Sequence, residues 1–461
     1  MAPDDHRGPI FTLPREASAS CLAEGRCRAQ FSDHSPLYGD RVMLKAIPFL
    51  LMLTLSATSA TAGNWTHWRG PTGNGTAPEA TPPVQWSATE NVKWKVELPG
   101  LGSGSPIIWQ DQVFVTSAIP VDNADAASGS PEHEFVLLCY DRATGQLNWK
   151  RVANREQPHE GTHSTNGFAS ASPCTDGERV YAHFGSRGLY CYTMEGEPVW
   201  KRDLGDMTCR GTFGEGSSPT LAGDKIIVPW DHEGQSFLFA LDKRTGETIW
   251  EAERDEPSCW ATPLVVQHAG NEQVIMNGQN YARSYDLKTG KELWRCGGQT
   301  MRPVACPVAA DGLVYVGSGF RGAFLGAFQP DGKGDIAGSS NVVWTIERDT
   351  PDIASFLLSE GRIYFYKAKS GLLTCVDAKT GEPHYSTERI GLGTIYASPV
   401  AANGHIYLTD RDGKTVVIED SPELKIVATN SVDETVDATP APVDNQMFVR
   451  GEKHLFCFEK P

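Results

Sequence analysis

The chain has 461 residues, including 46 glycines and 30 prolines, and only 21% of its residues are charged. This turn-rich composition, together with 40% hydrophobic residues, excludes a wholly disordered chain and a coiled coil. A formal net charge of -16, without a compensating run of lysine and arginine, predicts that the protein binds neither nucleic acid nor an anionic membrane surface.

The first predicted element is an export signal near the N-terminus. Residues 1–42 show no hydrophobic periodicity, and we interpret them as a disordered or non-native pre-region before a start at Met43. Lys45, the apolar run 46–55 and the small residues 60–62 then follow the order of a secretory signal. A membrane anchor is not predicted, because about ten apolar residues are too few for the ~20 that span a bilayer.

We therefore expect a signal peptide over residues 43–62 that is cleaved near Ala62. No cysteine follows the hydrophobic run before Cys139, so the sequence shows no lipid-attachment site at the cleavage point. The expected product is soluble, monomeric and either periplasmic or secreted. It begins with an irregular segment over residues 63–90.

A motif of a small residue followed by proline opens a short apolar run in each of several repeats. Successive copies are 41 to 67 residues apart, and most of these spacings fall in the range typical of propellers and solenoids. The copies are Ser105-Pro106, Ser172-Pro173, Ser218-Pro219, Thr262-Pro263, Cys306-Pro307, Ser398-Pro399 and Thr439-Pro440, with Ser355-Phe356 as a degenerate copy.

A second motif, Asp-x-x-Thr-Gly-x-x-x-Trp, lies between these copies. The aspartate can accept hydrogen bonds from turn amides, the glycine takes the positive φ that a hairpin needs, and the aromatic residue packs in the next strand. The clearest copies begin at Asp141, Asp242, Asp286 and Asp377, the last with Tyr385 in the aromatic position.

The two motifs predict an all-β fold. Further β-rich runs, such as 179–182 and 188–192, give four strands per repeat. Eight repeats over residues 91–461 therefore predict an eight-bladed β-propeller of four-stranded antiparallel blades. The eighth repeat ends one strand short, after 455–458. We expect the N-terminal strand 92–96 to pair with this C-terminal blade and close the ring, which leaves no unpaired edge.

These motifs resemble the PQQ-like repeat, the blade unit of quinoprotein alcohol dehydrogenases and of the lipoprotein subunit of the bacterial outer-membrane β-barrel assembly machinery. The chain is particularly similar to the secreted PQQ-like propellers of Planctomycetes, through Trp-Arg-Gly-Pro at 68–71 and the runs 163–170 and 258–263. The resemblance covers residues 65–461. It implies the propeller fold, but one such scaffold hosts catalysts and inert binders alike.

The candidate ligand site lies at one mouth of the central channel. Strand parity places the connections between blades on one face of the disc, together with the long loops 119–134 and 152–165. Side chains just upstream of the first motif line this mouth: His163, Asn166, Trp260, Arg302, Asp352, Tyr396 and Asp437. This mixture suits a polar ligand with a flat apolar part. Alternatively, these side chains hydrogen-bond each other and seal the channel.

The resemblance raises the question of a quinone cofactor. It implies that quinoprotein dehydrogenases stack the quinone between a tryptophan and a vicinal disulfide, and bind Ca²⁺ through nearby acids. Trp260 could stack a quinone, but the chain has no Cys-Cys pair, no C-x-x-C-H haem motif and no clear set of calcium ligands. We assign no cofactor and no catalytic residue, and PQQ with calcium is disfavoured.

Four cysteines are interpreted as core residues, and two histidines are considered as metal ligands. Four cysteines share a third-strand position that other blades fill with alanine or serine, so we expect them in the core: Cys139, Cys191, Cys375 and Cys457. His159 and His163 are four residues apart, but their loop contains proline and glycine, and no third ligand is near in sequence. No metal site is predicted.

The sequence thus predicts an exported, non-catalytic propeller that acts as a binding or assembly platform for a protein partner or a small polar ligand. The alternative is a PQQ- or other cofactor-dependent oxidoreductase acting on an alcohol or a sugar. No nucleic-acid binding and no membrane insertion are expected.

Overall fold

The structure is a computed structural model that describes residues 63–121 and 131–460. The predicted pre-region and signal peptide, residues 1–62, lie outside the described residues. The described residues form eight sheets, and four antiparallel strands in each sheet make one blade. This arrangement confirms the predicted all-β, eight-bladed propeller.

The blades follow one another along the chain, and each runs from an inner to an outer strand. Blades 1 and 2 consist of Ile107–Trp109, Gln112–Pro120, His133–Asp141 and Leu147–Glu156, then Cys174–Thr175, Arg179–His183, Leu189–Thr193 and Pro198–Arg202. Blades 3 and 4 consist of Thr220–Ala222, Lys225–Trp230, Ser236–Asp242 and Thr248–Arg254, then Leu264–His268, Asn271–Met276, Ala282–Asp286 and Glu292–Cys296.

The second half of the ring repeats this order. Blades 5 and 6 consist of Val308–Ala310, Leu313–Ser318, Phe324–Phe328 and Val342–Ile346, then Leu357–Ser359, Arg362–Tyr366, Ser370–Asp377 and Pro383–Thr394. Blades 7 and 8 consist of Val400–Ala402, His405–Thr409, Lys414–Glu419 and Ile426–Ser431, then Ala441–Val443, Gln446–Arg450, His454–Glu459 and the N-terminal strand Val92–Glu97.

Short elements complete the described secondary structure. Thr76–Ala77 pairs in parallel with the inner strand of blade 7, and Gly334–Asp335 pairs in parallel with the outer strand of blade 4. Two 3₁₀ helices cover Gly185–Arg187 and Arg210–Thr212. Among the described residues, no helix is both long and apolar enough to cross a membrane.

The two long loops of the mouth face are shorter than the sequence predicted. The ladder of blade 1 continues until Pro120 pairs with His133, and His133 in turn pairs with Glu156. The ends of the expected loops 119–134 and 152–165 therefore belong to strands, because the strand pairing continues past the apolar part of each strand. The segment from 122 to 130 lies outside the described residues.

The small residues of the first motif form a closed ring of hydrogen bonds, here called the anchor ring. The backbone N–H of each residue donates to the side-chain oxygen or sulfur of its equivalent in the next blade, at 2.8–3.1 Å. The ring passes through Ser105, Ser172, Ser218, Thr262, Cys306, Ser355, Ser398 and Thr439. It closes where the Thr439 N–H donates to Ser105 Oγ, at 2.9 Å.

Outer-strand tryptophans connect neighbouring blades. Trp149 of blade 1 donates its indole N–H to the carbonyl of Met194 in blade 2, at 3.1 Å. Its ring covers Gly196, where an added Cβ would lie 2.8 Å from the indole. The same donation to the following blade is made by Trp94, Trp200, Trp250, Trp294 and Trp344. The aromatic residue of the second motif therefore holds its blade against the next one.

Blade 8 is built from both ends of the described chain. Val92–Glu97 pairs antiparallel with His454–Glu459, and Trp94 lies opposite Cys457 in this register. The Trp94 indole donates to the Arg142 carbonyl of blade 1, at 2.8 Å. Blade 8 is thus joined to blade 1 by the same tryptophan contact that joins the other blades.

The N-terminal segment 63–77 crosses the inner strands on the side of the anchor ring away from the mouth. Trp65 exchanges backbone hydrogen bonds with Ile108 of blade 1, at 2.8 and 2.9 Å. The Arg69 side chain is only 1% exposed and donates to the carbonyls of Phe356 and Pro399 in blades 6 and 7, both at 2.8 Å. Within the segment 63–90 that was expected to be irregular, residues 63–77 therefore lie against the inner strands of several blades.

The core lies between the blades, and it contains the cysteines. All nine cysteines of the described residues are buried and free. The four expected in the core have no exposed surface, which confirms that prediction: Cys139, Cys191, Cys375 and Cys457. Burial raises the pKa of each of these thiols to about 12, so none is a thiolate near neutral pH.

Candidate functional site

A cavity of about 450 Å³ opens at the mouth of the channel, and residues from all eight blades line it; we call it the central cavity. Six of the seven side chains selected from sequence contribute to its lining: His163, Asn166, Trp260, Arg302, Tyr396 and Asp437. The anchor ring surrounds its deep end, and Trp68 of the N-terminal segment also lines it. The N-terminal segment therefore contributes to the deep end of the cavity through Trp68.

Asp352, the seventh selected residue, does not line the central cavity. Its carboxylate is buried behind Arg302, with Oδ2 3.3 Å from Arg302 Nη2 and 3.9 Å from Lys369 Nζ. Burial raises the pKa of this carboxyl and lowers the pKa of the Arg302 guanidinium, and each group favours the charged form of the other. Asp352 therefore positions two basic side chains instead of facing a ligand.

Arg302 presents its charge along an aromatic wall. Its Cζ lies 3.5 Å from the ring centroid of Phe320 and 5.4 Å from that of Phe213, which is cation–π distance. The residue has a φ of 46°, in the left-handed region, so the backbone at this point of the mouth is strained. Strain of this kind persists where the surrounding structure imposes it.

Tyr396 lies between two polar groups of the mouth. Its hydroxyl is 3.2 Å from Thr165 Oγ1, which in turn is 2.9 Å from His163 Nδ1. The guanidinium of Arg411 lies 4.5 Å from the Tyr396 ring centroid and is paired with Asp437, with Nη2 to Oδ2 at 3.1 Å. These contacts connect the loop before blade 2 to blades 7 and 8.

Phe213 organises the opposite wall. Its carbonyl accepts a hydrogen bond from Asn166 Nδ2 at 2.8 Å, and its ring makes an edge contact with His163 at 5.4 Å. The neighbouring carbonyl of Gly214 accepts the indole N–H of Trp260 at 2.7 Å. The backbone of this loop thus fixes the orientation of the Asn166 and Trp260 side chains, both of which were selected from sequence.

The two interpretations of the mouth residues each describe part of what the structure shows. The side chains do hydrogen-bond and pair with each other, as the sealing interpretation expected. They do so around the wall, however, and leave the central cavity open between them. The pairs therefore hold the aromatic and charged groups in place without filling the channel.

Several lining residues were missed by sequence reasoning. Phe213 stands five residues before Ser218, so the rule of looking upstream of the first motif could have found it. Phe320 and Lys369 come from connections between the second and third strands, which that rule did not cover. Trp68 belongs to a motif that the resemblance singled out, but no local pattern places it beneath the channel.

The residues of the central cavity do not fit a calcium-bound quinone of the kind that the resemblance implies. Asp437, the lining carboxylate, is paired with Arg411, and Asp352 is paired with Arg302. Ca²⁺ takes 6–8 oxygen ligands, whereas Asp437 is the one carboxylate among the described residues that line the cavity and Asp352 lies behind the wall. No two cysteines of the chain are adjacent, so the vicinal disulfide is also missing.

A second polar cluster lies on the loops beside the central cavity. His159, Glu160 and Glu215 each place one potential ligand atom within 4.8 Å of the others. Sequence reasoning considered His159 together with His163 and found no third ligand. The structure leaves His163 in the wall of the central cavity and brings Glu215 from the loop before blade 3 to His159 instead.

Comparisons with known proteins agree with this architecture. A family model described as outer membrane protein assembly factor BamB matches residues 133–382. A quinoprotein ethanol dehydrogenase of Pseudomonas aeruginosa is 33% identical over 130 residues, which cover 27% of this chain and 19% of that protein. Methanol dehydrogenase [cytochrome c] subunit 1 of Methylorubrum extorquens is 28% identical over 89 residues, 18% of this chain and 13% of that protein. The matches thus span a fifth or less of the length of these relatives.

Solved structures show the same fold at low sequence identity. BamB from Moraxella catarrhalis is 15% identical, with a TM-score of 0.55 over 80% of this chain and 99% of that chain. Quinohemoprotein alcohol dehydrogenase from Comamonas testosteroni is 11% identical, with a TM-score of 0.60 over 87% of this chain and 81% of that chain. At these identities the similarity concerns the fold alone.

Proposed function

The chain belongs to the β-propeller family described as outer membrane protein assembly factor BamB, and on that premise we propose that it is a non-catalytic binding platform. The observation that carries the proposal is the central cavity, which draws its lining from all eight blades. The ligand is a small polar molecule, or a protein partner whose side chains enter the cavity.

The chemistry of the lining supports a ligand with both flat apolar and polar parts. Trp260, Phe213 and Phe320 offer aromatic faces, while Arg302 and Lys369 offer positive charge on the same side of the cavity. Pockets with a mostly apolar lining and a few fixed polar groups are typical ligand sites. Because the polar groups are held by ion pairs and backbone carbonyls, little side-chain freedom is lost on binding.

The mouth face also supports a protein partner. The family description names an assembly factor, and assembly requires contacts with other proteins. Exposed loops over a rigid ring are common binding surfaces. We further propose that the protein is exported, because residues 43–62 have the order of a secretory signal.

A cofactor-dependent oxidoreductase is the second candidate, favoured by the local similarity to quinoprotein dehydrogenases. Two observations weigh against it. The acids at the central cavity are engaged by arginines, and the chain has no adjacent cysteines. Redox chemistry would have to rely on a different set of cofactor contacts.

One assay separates the two candidates. The purified protein is incubated with PQQ and Ca²⁺, and the reduction of an artificial electron acceptor is followed with and without a panel of alcohols and sugars. We expect no substrate-dependent reduction above a control that lacks the protein. Turnover with any of these substrates that is lost in Trp260→Ala would instead establish the oxidoreductase.

A further inference from the structure

We infer a binding site for one Zn²⁺ ion at His159, Glu160 and Glu215, outside the central cavity. The first two residues belong to the loop before blade 2 and the third to the loop before blade 3. One potential ligand atom of each lies within 4.8 Å of the others, a spacing that donors around a single ion can adopt. This inference does not depend on the proposed function.

The imidazole of His159 has one nitrogen available for a metal. Its Nε2 lies 2.7 Å from the carbonyl oxygen of Met207. A carbonyl only accepts, so Nε2 carries the proton and, in the neutral imidazole, Nδ1 keeps its lone pair. The Asp206 carboxylate lies beside this nitrogen, with Oδ1 3.9 Å from Nδ1. Metal-binding histidines usually donate their other N–H to such a carbonyl, which fixes the tautomer and the orientation of the ring.

The two carboxylates are held by donors from outside the cluster. Glu215 Oε2 accepts the backbone N–H of Ser186 at 2.7 Å, and Glu160 Oε1 accepts the backbone N–H of Cys209 at 3.0 Å. Ligating carboxylates in metal sites are typically hydrogen-bonded in this way. The donor atoms are thus placed before any ion arrives.

The charges around the cluster are unbalanced. Arg187 pairs with Glu215, Nη1 to Oε1 at 3.4 Å, and with Glu156, Nε to Oε1 at 3.0 Å. Within the described part of the chain Glu160 makes no ion pair, and it is half-buried. One guanidinium therefore pairs with two of the carboxylates, and among the described residues the Glu160 carboxylate is left without a cationic partner. Two carboxylates this close repel each other, and a divalent cation between them removes that repulsion.

A small void adjoins both carboxylates. It has a volume of about 20 Å³ and is lined by Glu160, Glu215, Arg187 and the neighbouring glycines Gly161 and Gly214, with aromatic side chains on the other side. A space of ~10–15 Å³ is enough for one water molecule, so a single ion or water can occupy it. The void shows that the two carboxylates adjoin space for a ligand, whereas His159 is not among the residues that line it.

The donor set selects zinc over calcium. One imidazole nitrogen and two carboxylate oxygens are ordinary zinc ligands, at about 2.0–2.2 Å from the metal. Calcium takes 6–8 oxygen ligands, which three side chains, one of them imidazole, do not provide. Bound zinc would cross-link the loops before blades 2 and 3, next to the Gly214 carbonyl that holds Trp260.

Zinc titration of the untagged full-length protein tests the site. The protein is treated with a chelator, dialysed and titrated with Zn²⁺ or Ca²⁺ by calorimetry, with thermal unfolding measured in parallel. The variants are His159→Gln and Glu160→Gln. The matched control is His163→Gln, which changes a histidine of the same loop that contacts Thr165 instead of the cluster.

We expect one Zn²⁺ per wild-type chain, at least ten-fold weaker binding in His159→Gln and Glu160→Gln, and unchanged binding in the control. Zinc should also raise the melting temperature of the wild type and of the control more than that of the two variants. Circular dichroism shows whether each variant is folded. Zinc binding by folded His159→Gln and Glu160→Gln that equals the wild type, an absence of stoichiometric zinc binding, or tighter binding of Ca²⁺ would overturn the inference.

Discussion

At the scale of single residues, the first motif acts through its side-chain oxygen or sulfur, which accepts a backbone hydrogen bond from the preceding blade. Proline restricts the preceding residue to extended conformations, which orients its N–H toward the next blade. Ser355 lacks the following proline and looked degenerate in sequence, yet its Oγ accepts the Cys306 N–H at 2.9 Å like the others. Sequence reasoning found the spacing of the motif but missed the ring, because each bond joins residues more than 40 positions apart.

Removing one acceptor should therefore cost stability. In Ser398→Ala the buried N–H of Ser355 loses its partner, and an unsatisfied buried donor costs about 1–3 kcal/mol. We expect a lower free energy of unfolding in urea for this variant. Cys306→Ser keeps an acceptor for Thr262 and should remain close to the wild type. Equal stability of Ser398→Ala and the wild type would show that the ring adds nothing measurable.

A buried histidine gives a pH dependence of stability. Burial lowers the pKa of His183 from 6.5 to about 4. As the pH falls below 6.5 the unfolded chain binds a proton at this side chain and the folded protein does not, so stability declines until about pH 4. The melting temperature of His183→Gln should therefore fall less between pH 6.5 and pH 4 than that of the wild type. Identical pH profiles would contradict the assignment.

At the scale of elements, the second motif supplies both the hairpin turn and the contact between blades. Asp141 Oδ1 accepts the Thr144 N–H at 2.7 Å, and Gly145 has a φ of 74°, as the turn chemistry predicted. The docking of each tryptophan on the next blade was not predictable from the motif alone. It depends on how neighbouring blades are oriented, which is a property of the closed ring.

Substitutions at two glycines of blade 3 can distinguish backbone strain in a turn from the loss of the tryptophan contact between blades. Gly246 has a φ of 75° and an added Cβ would lie 2.7 Å from the Trp200 ring, whereas Gly223 has a φ of 59° and open space around it. Alanine at either position is strained by ~1–2 kcal/mol. We expect Gly246→Ala to lower the melting temperature clearly more than Gly223→Ala. Equal losses would mean that the tryptophan contact is unimportant.

At the scale of the whole molecule, the ring depends on both ends of the described chain. The repeats predicted eight blades, and strand 92–96 was expected to complete the last one. The mouth residues could be predicted as a group because each of them lies just upstream of a copy of the first motif. Residues 63–77 have no repeat or periodic signal, so their hydrogen bonds with six blades were beyond sequence reasoning.

Deleting residues 63–98 should prevent proper closure, because blade 8 would lose its outer strand and blade 1 the Trp94 contact. An open sheet edge promotes association between chains. We expect aggregation, or a large fall in melting temperature, relative to a chain that begins at residue 63. Size-exclusion chromatography and thermal unfolding measure both. A monomeric and equally stable truncated protein would rule out this closure.

The central claim is that the protein binds its ligand or partner through the central cavity. A ligand or partner is first identified by affinity capture and thermal-shift screening, and its dissociation constant is then measured by calorimetry for Arg302→Ala, Trp260→Ala and the opposite-face control Thr245→Ala. Loss of one charged hydrogen bond costs about 1.5–3 kcal/mol, so the account predicts roughly 10- to 100-fold weaker binding for folded Arg302→Ala, a clear loss for Trp260→Ala and none for Thr245→Ala. Binding that is abolished by Thr245→Ala and unchanged by the two cavity variants would contradict it.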